Sequence, residues 1–292
     1  MPKGLREIRN RIKSVKSTGQ ITRAMQLVAS SKMKKAQDAA KAGREYAELL
    51  GEILDTAAAK AGGLEHPLLT RREVRVRGVL IVTPDKGMCG ALNSNLLRAA
   101  LEIPGAAFVT LGRKGRQSLA RAGRTLLADF PVTDKAAFAE VRPAAEFLLK
   151  AFLEGKVDTV EVLYAHFKNT LVQAPRLQRL LPADDLVGQA RALREKLGLP
   201  EPKVEADERD MAFEPSAPEI LSRLPALFYK VAVHQAVLEA KASEHSSRMV
   251  AMKAATDNSK KIAAALSLEY NKARQAAITQ EILELTAGAS QA

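Results

Sequence analysis

The sequence predicts an α/β protein whose two chain ends pair as a long antiparallel coiled coil around a central α/β domain. Three observations carry this. Residues 74–182 alternate β-rich and helical segments. After Pro225 neither Gly nor Pro occurs until Gly288, a run of about 62 residues. Near the start of the chain, apolar side chains recur at steps of three and four.

Breakers are few from Leu5 to about Leu54, which predicts a long first helix, and the N-terminal coiled-coil segment is placed at 1–60. Leu5, Ile8, Ile12 and Val15 have heptad spacing. After Gly19 the stripe reads on as Ile21, Met25 and Val28 and then thins to alanine, a change of phase such as a stutter produces. The central domain is placed at 74–210. VRVRGVLIV (74–82), FVTLG (108–112) and TVEVLYAHF (159–167) read as strands, and LVQAPRLQRLLP (171–182) as a further one that Pro175 confines to an edge or a bulge. Helical patterns fill 92–101, 113–122 and 136–154, so the strands should run parallel. Residues 183–210 read as a polar, partly helical excursion. The C-terminal coiled-coil helix is placed at 217–287. Its breaker-free part alone would be about 93 Å long at 1.5 Å per residue, more than the width of the central domain. A helix of that length needs a partner in water. Ala263, Ala264, Ala273, Ala276 and Ala277 allow one to approach closely.

Composition narrows the classes of function. Of 292 residues 47% are apolar and only 4% aromatic, with no Trp, so the core draws on Ala, Leu, Val and Ile. The net charge is +12 and is unevenly spread. Residues 1–44 hold twelve Lys and Arg against Glu7 and Asp38, about +10, and the rest is nearly balanced. One cysteine, Cys89, permits no internal disulfide and no zinc-ligand pattern, which fits a reducing compartment. His66, His166, His234 and His245 are scattered, so neither a metal nor a cofactor is expected. No run of 18 apolar residues spans a bilayer, and MPKGLREIRN lacks the apolar stretch of a secretion signal.

Four stretches invite a chemical reading. TPDKGMCGALNSNL (83–96) lies between a strand and a helix, where phosphate loops sit. However, Lys86 precedes its glycines, and neither nucleotide fingerprint is present. The plainer reading is a turn in which Gly87 and Gly90 take unusual dihedrals and an Asn or Ser caps the next helix. SEHSS (243–247) sets His245 among serines, but helix neighbours one residue apart point in different directions, so no catalytic triad is expected. Cys89 has no nearby His to activate it. The basic N-terminal arm suits DNA phosphates on charge alone. Its regular apolar stripe and its lack of stacking aromatics favour an acidic protein surface instead.

Longer motifs point to a family. The run SEHSSRMVAMKAATDNSKKIAAALSLEYNKARQAAITQEILELTAGA (243–289) resembles the signature of the γ subunit of F-type ATP synthases. IRNRIKSVKSTGQITRAMQLVASSKMKKAQ (8–37) is similar to that family's opening helix, and DKGMCGALNSN (85–95) and GRKG (112–115) to its central motifs. The resemblance implies an antiparallel coiled coil above a Rossmann-like α/β domain. It implies a non-catalytic rotor that stands in a ring of α and β subunits, with ε and the ring of c subunits at its foot, and no nucleic-acid partner. The nucleotide chemistry would belong to the β subunits. The absence of a presequence favours the cytoplasmic face of a bacterial cell membrane, reached through the complex, with a mitochondrial or thylakoid membrane as the alternative for a mature organellar chain.

The resemblance also implies contact residues. Arg248, Gln275 and Thr279 match the family's C-terminal helix contacts to β, and Met25, beside Arg23, its N-terminal counterpart. Arg9, Arg11 and Lys13 would face an acidic lever of β. Ile282 and Leu285, with Ile278 and Leu283, resemble a tip seated in an apolar sleeve. Met249 and Met252 are soft side chains that suit changing contacts.

Overall fold

The computed structural model describes residues 3–43, 66–183 and 217–289, with the isolated positions 46, 50 and 195. Nearly all of the expected excursion at 183–210 lies outside these residues, as does most of the first segment beyond Gly43. The described elements are α1 (Lys3–Ala42), β1 (Arg77–Val82), α2 (Leu92–Leu101), β2 (Ala106–Leu111), α3 (Arg113–Arg121), β3 (Leu126–Phe130), α4 (Phe138–Leu153), β4 (Thr159–Phe167), β5 (Gln173–Leu181) and α5 (Ala217–Ala289). They form two compact units. One comprises Met1–Ser30 with Arg248–Ala292 and the other Ser31–Ser247.

The larger unit holds a five-stranded sheet in the order β3-β2-β1-β4-β5. β1 pairs in parallel with β2 (Val79 opposite Phe108) and with β4 (Val79 opposite Glu161), and β2 in parallel with β3. β5 returns antiparallel at the edge, where Pro175 lacks a ladder donor at no cost. β1 is buried on both faces, which is why it reads as an unbroken apolar run, RGVLIV.

One face of the sheet packs Val79, Ile81, Phe108 and Leu163 against Leu92, Leu96 and Ala100 of α2 and Leu119 of α3. The opposite face packs Leu80, Val109, Val162 and Tyr164 against Val141, Leu148 and Phe152 of α4 and Phe228, Tyr229, Val233 and Val237 of α5. Burial pushes the Tyr229 phenol well above its usual range, and its hydroxyl donates to Ala145 O at 3.1 Å. Sequence analysis missed β3. It is a short edge strand, Leu-Leu-Ala-Asp-Phe, of which no residue is fully buried, so its apolar signal is thin.

Where β1 and β2 end, backbone meets backbone. Gly112 has φ +108°, and a Cβ there would lie 1.9 Å from Thr83 O. Thr83 Oγ1 accepts from Gly115 N at 2.8 Å and donates to Gly112 O at 3.2 Å. The GRKG motif is therefore a packing device around one threonine.

The turn after β1 departs from its expected form. Met88 and Gly90 take positive φ, while Gly87 does not. The residue capping α2 is Ala91, with no side-chain bond. Asn93 cannot cap from inside the helix, and its Nδ2 turns to Cys89 Sγ at 3.4 Å.

Candidate functional site

The smaller unit is a pair of antiparallel helical segments from α1 and α5. Thr22 Oγ1 and Thr256 Oγ1 share a hydrogen bond of 2.8 Å, and a Cβ on Gly19 would lie 3.2 Å from Ser259 Cβ. These two contacts fix the register. Carried outward in heptad steps, it sets Val15 level with Ala263, Ile12 with Leu266 and Ile8 with Tyr270.

Along α1 positions 5, 8, 12, 15, 19, 22, 26 and 29, and along α5 positions 249, 252, 256, 259, 263, 266, 270, 273 and 277, are buried or half-buried and form the seam, with 25, 30, 248, 250, 251, 255 and 267 half-buried beside it. Both lists step by three and four without interruption. The expected stutter after Gly19 is therefore absent. Ile21 and Val28 lie outside the seam, 58% and 55% exposed, and Gly19, Thr22 and Ala29 hold the places assigned to them. Apolar character misled because this seam selects small side chains at its closest approach. Met252 is buried, so it serves the seam itself and not a sliding surface.

The sequence-predicted contact residues avoid the seam. Arg9, Arg11, Lys13 and Arg23 of α1 are exposed, as are Gln275 and Thr279 of α5. Met25 and Arg248 are half-buried at its flanks. Arg9 and Lys13, four apart, share one side of α1, while Arg11 lies on another. Gln275 and Thr279 likewise share a side of α5, and Thr279 Oγ1 donates to Gln275 O at 3.0 Å. The register brings Gln275 level with Lys3, where α1 begins. From Thr279 onward α5 has no described residue of α1 alongside it, which leaves Ile282 55% and Leu283 62% exposed. Leu285 lies in α5, but its side chain is outside the described residues.

Sequence reasoning missed a groove in the same unit. Val15, Lys16, Gly19, Gln20 and Arg23 face Ser259, Lys260, Ala263 and Ser267 around about 480 Å³. It arises because Gly19 and Ala263 put no bulk into the seam. The signal in the sequence was Gly19 at a heptad position.

The alternative chemistry of the larger unit does not assemble. His245 is 2% exposed and lies 3.9 Å from Asp134, not beside a nucleophile. Ser246 and Ser247 donate their hydroxyls to Thr170 O and Cys89 O. Glu244 faces Lys241 at 3.4 Å. Among the described residues no three His, Cys, Asp or Glu gather as metal ligands, and no helix is long and apolar enough to cross a membrane.

Comparison with known proteins decides the family. A family model described as ATP synthase matches residues 4–291. The ATP synthase gamma chain of Opitutus terrae is 52% identical over 283 residues, 97% of this chain and 96% of that one. This chain belongs to the ATP synthase gamma family. It is accordingly a rotor subunit of an F-type ATP synthase and not the catalytic one. The gamma chain of Methylacidiphilum infernorum is 43% identical over 96% of both chains. Among solved structures, the central stalk and c-ring of the Tetrahymena thermophila mitochondrial ATP synthase includes a chain with TM-score 0.56 and 26% identity, matched over 80% of this chain and 99% of that one. The rotor of the Euglena gracilis mitochondrial enzyme shares the fold, with TM-score 0.65 and 18% identity over 95% and 100%.

Proposed function

We propose that this gamma chain works as a camshaft through the outer surface of its two-helix unit. The observation that carries the reading is that Arg9, Arg11, Lys13, Arg23, Gln275, Thr279 and Ile282 are all exposed while the seam is complete without them. Residues that a helix pair does not need for its own packing are available to neighbours. Seven cations on the described part of α1 before Ser30 meet one acid there, Glu7, so an acidic surface on the β subunits is the natural complement. Such attraction needs no fixed geometry and weakens with salt, as a turning contact requires. The shaft contacts the three β subunits unequally and so biases which of them is open. The α subunits complete the ring, ε and the c-ring lie at the foot, and the complex sits at the cytoplasmic face of a bacterial membrane.

At the tip, Ile278, Ile282 and Leu283 expose apolar surface on a helix with no described partner. Covering them in an apolar sleeve would contribute about 1.5–3 kcal/mol for each fully buried side chain.

The test replaces Arg9, Arg11 and Lys13 together by Gln. The expected result is a chain with unchanged thermal stability whose complex with α and β loses coupling between ATP hydrolysis and rotation. Unchanged complex yield together with unchanged hydrolysis and rotation would sink this reading. The isolated chain should hydrolyse no ATP and should co-purify with α and β. Duplex binding with a steep salt slope would instead favour a nucleic-acid role for the arm.

A further inference from the structure

In doubly wound sheets a ligand binds beyond the carboxyl ends of the strands, at the point where the strand order reverses. Here that point lies between β1 and β4, because β1 leads leftward to β2 and β3 and the chain then crosses to β4. A nucleotide would rest on the turn after β1, at the start of α2, and against the loop after β4.

A stretch of α5 stands in that place. Ser247 Oγ donates to Cys89 O at 2.7 Å, and it is 3.8 Å from where a Cβ on Gly90 would be, so it covers the turn leading into α2. Ser246 Oγ donates to Thr170 O at 2.9 Å, beyond the end of β4. Glu239 pairs with His166 and accepts from Phe167 N at 3.1 Å. Thr83, Pro84 and Ala165 close on Ala240, Lys241 and Glu244 around about 10 Å³, room for one water and far less than a nucleotide needs. Lys241 and Glu244, both side chains 6% exposed, face each other there at 3.4 Å.

We propose that Glu239–Ser247 is a built-in ligand of this crevice, which closes it to nucleotides and locks α5 to the loops after β1 and β4. The proposal rests on the rotor reading. A helix driven from the sheet must be held against turning about its own axis, and hydrophobic packing is non-directional. Hydrogen bonds to carbonyls on two different loops supply direction. Ser246, Ser247 and Glu239 are positioning residues.

The experiment has two arms. In the full chain, hydrogen exchange is followed at residues 86–95 and 166–173 for Ser246→Ala/Ser247→Ala, for Glu239→Gln and for Ser247→Thr. The alanine pair should exchange about fivefold to tenfold faster in both loops, while Ser247→Thr, which keeps the hydroxyl, stays near the original. In the assembled complex the alanine pair should lower the ratio of proton pumping to ATP hydrolysis, and Ser247→Thr should restore it. If the alanine pair misfolds, Glu239→Gln carries the test, with exchange rising at 166–173 alone. Unchanged exchange overturns the clamp, and faster exchange with an unchanged pumping ratio overturns its role in transmission. ATP binding to the original full chain by equilibrium dialysis, lost in Lys86→Ala, would show an open crevice and overturn the closure. Failure of the original chain to assemble with α and β would sink the rotor reading but not the exchange result.

Discussion

Gly112 is the most constrained of the described glycines in the larger unit. Its φ of +108° disfavours any L side chain, and Thr83 O lies only 1.9 Å from where a Cβ would stand, which leaves alanine no room. Gly123 also has a positive φ, +66°, but nothing lies within 4 Å of its Cβ position. Gly112→Ala should therefore cost more than Gly123→Ala, which incurs dihedral strain alone. Strain of this kind is of order 1–3 kcal/mol, and displacing backbone adds to it. Urea midpoints of the two variants check the ranking, and equal costs would mean that Thr83 moves aside freely. The sequence offered GRKG only as a motif, because the need for glycine comes from Thr83, the residue after β1 and 29 residues earlier in the chain.

At the level of elements, legibility followed how much apolar signal each one carries. β1, β2 and β4 are buried strands, and β5 declared itself by Pro175 at an edge. β3, exposed at every second residue, did not stand out. The helix seam was legible at Leu5, Ile8, Ile12 and Val15, where side chains are large, and illegible from Gly19 to Ala29, where it is made of small and hydroxyl groups. The proposed contact residues come from the resemblance alone, since exposed Arg, Gln and Thr on a helix have no periodic signature. The hydroxyl seam makes its own prediction. Thr22 and Thr256 are buried and bonded to each other, and Thr256 also donates to the carbonyl of Met252. Thr22→Val and Thr256→Val each remove the shared bond but leave the other hydroxyl a backbone acceptor, Met252 O at 2.8 Å or Gly19 O at 3.1 Å, so each should cost about 0.5–1.5 kcal/mol. The double variant replaces both polar groups by methyls of like shape and should cost less than the two singles together. Additive costs in thermal unfolding would show that the hydroxyls do not depend on each other.

Across the whole molecule, the shifted groups that titrate as the pH falls act on stability with one sign. Burial holds the His234 imidazole below its usual range, and this outweighs the opposing effect of its hydrogen bond to Ala136 O at 2.9 Å. Asp134 is raised by burial but lowered overall by its bond to Lys32 at 2.5 Å and the charges of Lys32, His245 and Lys241. Asp158 is lowered by the Val76 and Arg75 amides, each at 2.8 Å. In each case the unfolded chain binds its proton first as the pH falls, so acid favours unfolding. For His234 the stability is fully present above the unfolded value, about 6.5, and is lost as the pH drops through the lower folded value. For the two aspartates the loss starts only below their unfolded value of 3.8. A chain already at +12 gains further self-repulsion as its carboxylates are neutralised. The urea midpoint should thus begin to fall just below pH 6.5, well before the carboxylates titrate. His234→Gln, whose amide can still donate to Ala136 O, should remove this early decline and leave the acidic one. An identical midpoint-against-pH curve for the variant would mean that His234 stays as easily protonated in the folded chain as in the unfolded one, and that its burial among α5 and α4 neighbours is not what couples the fold to pH.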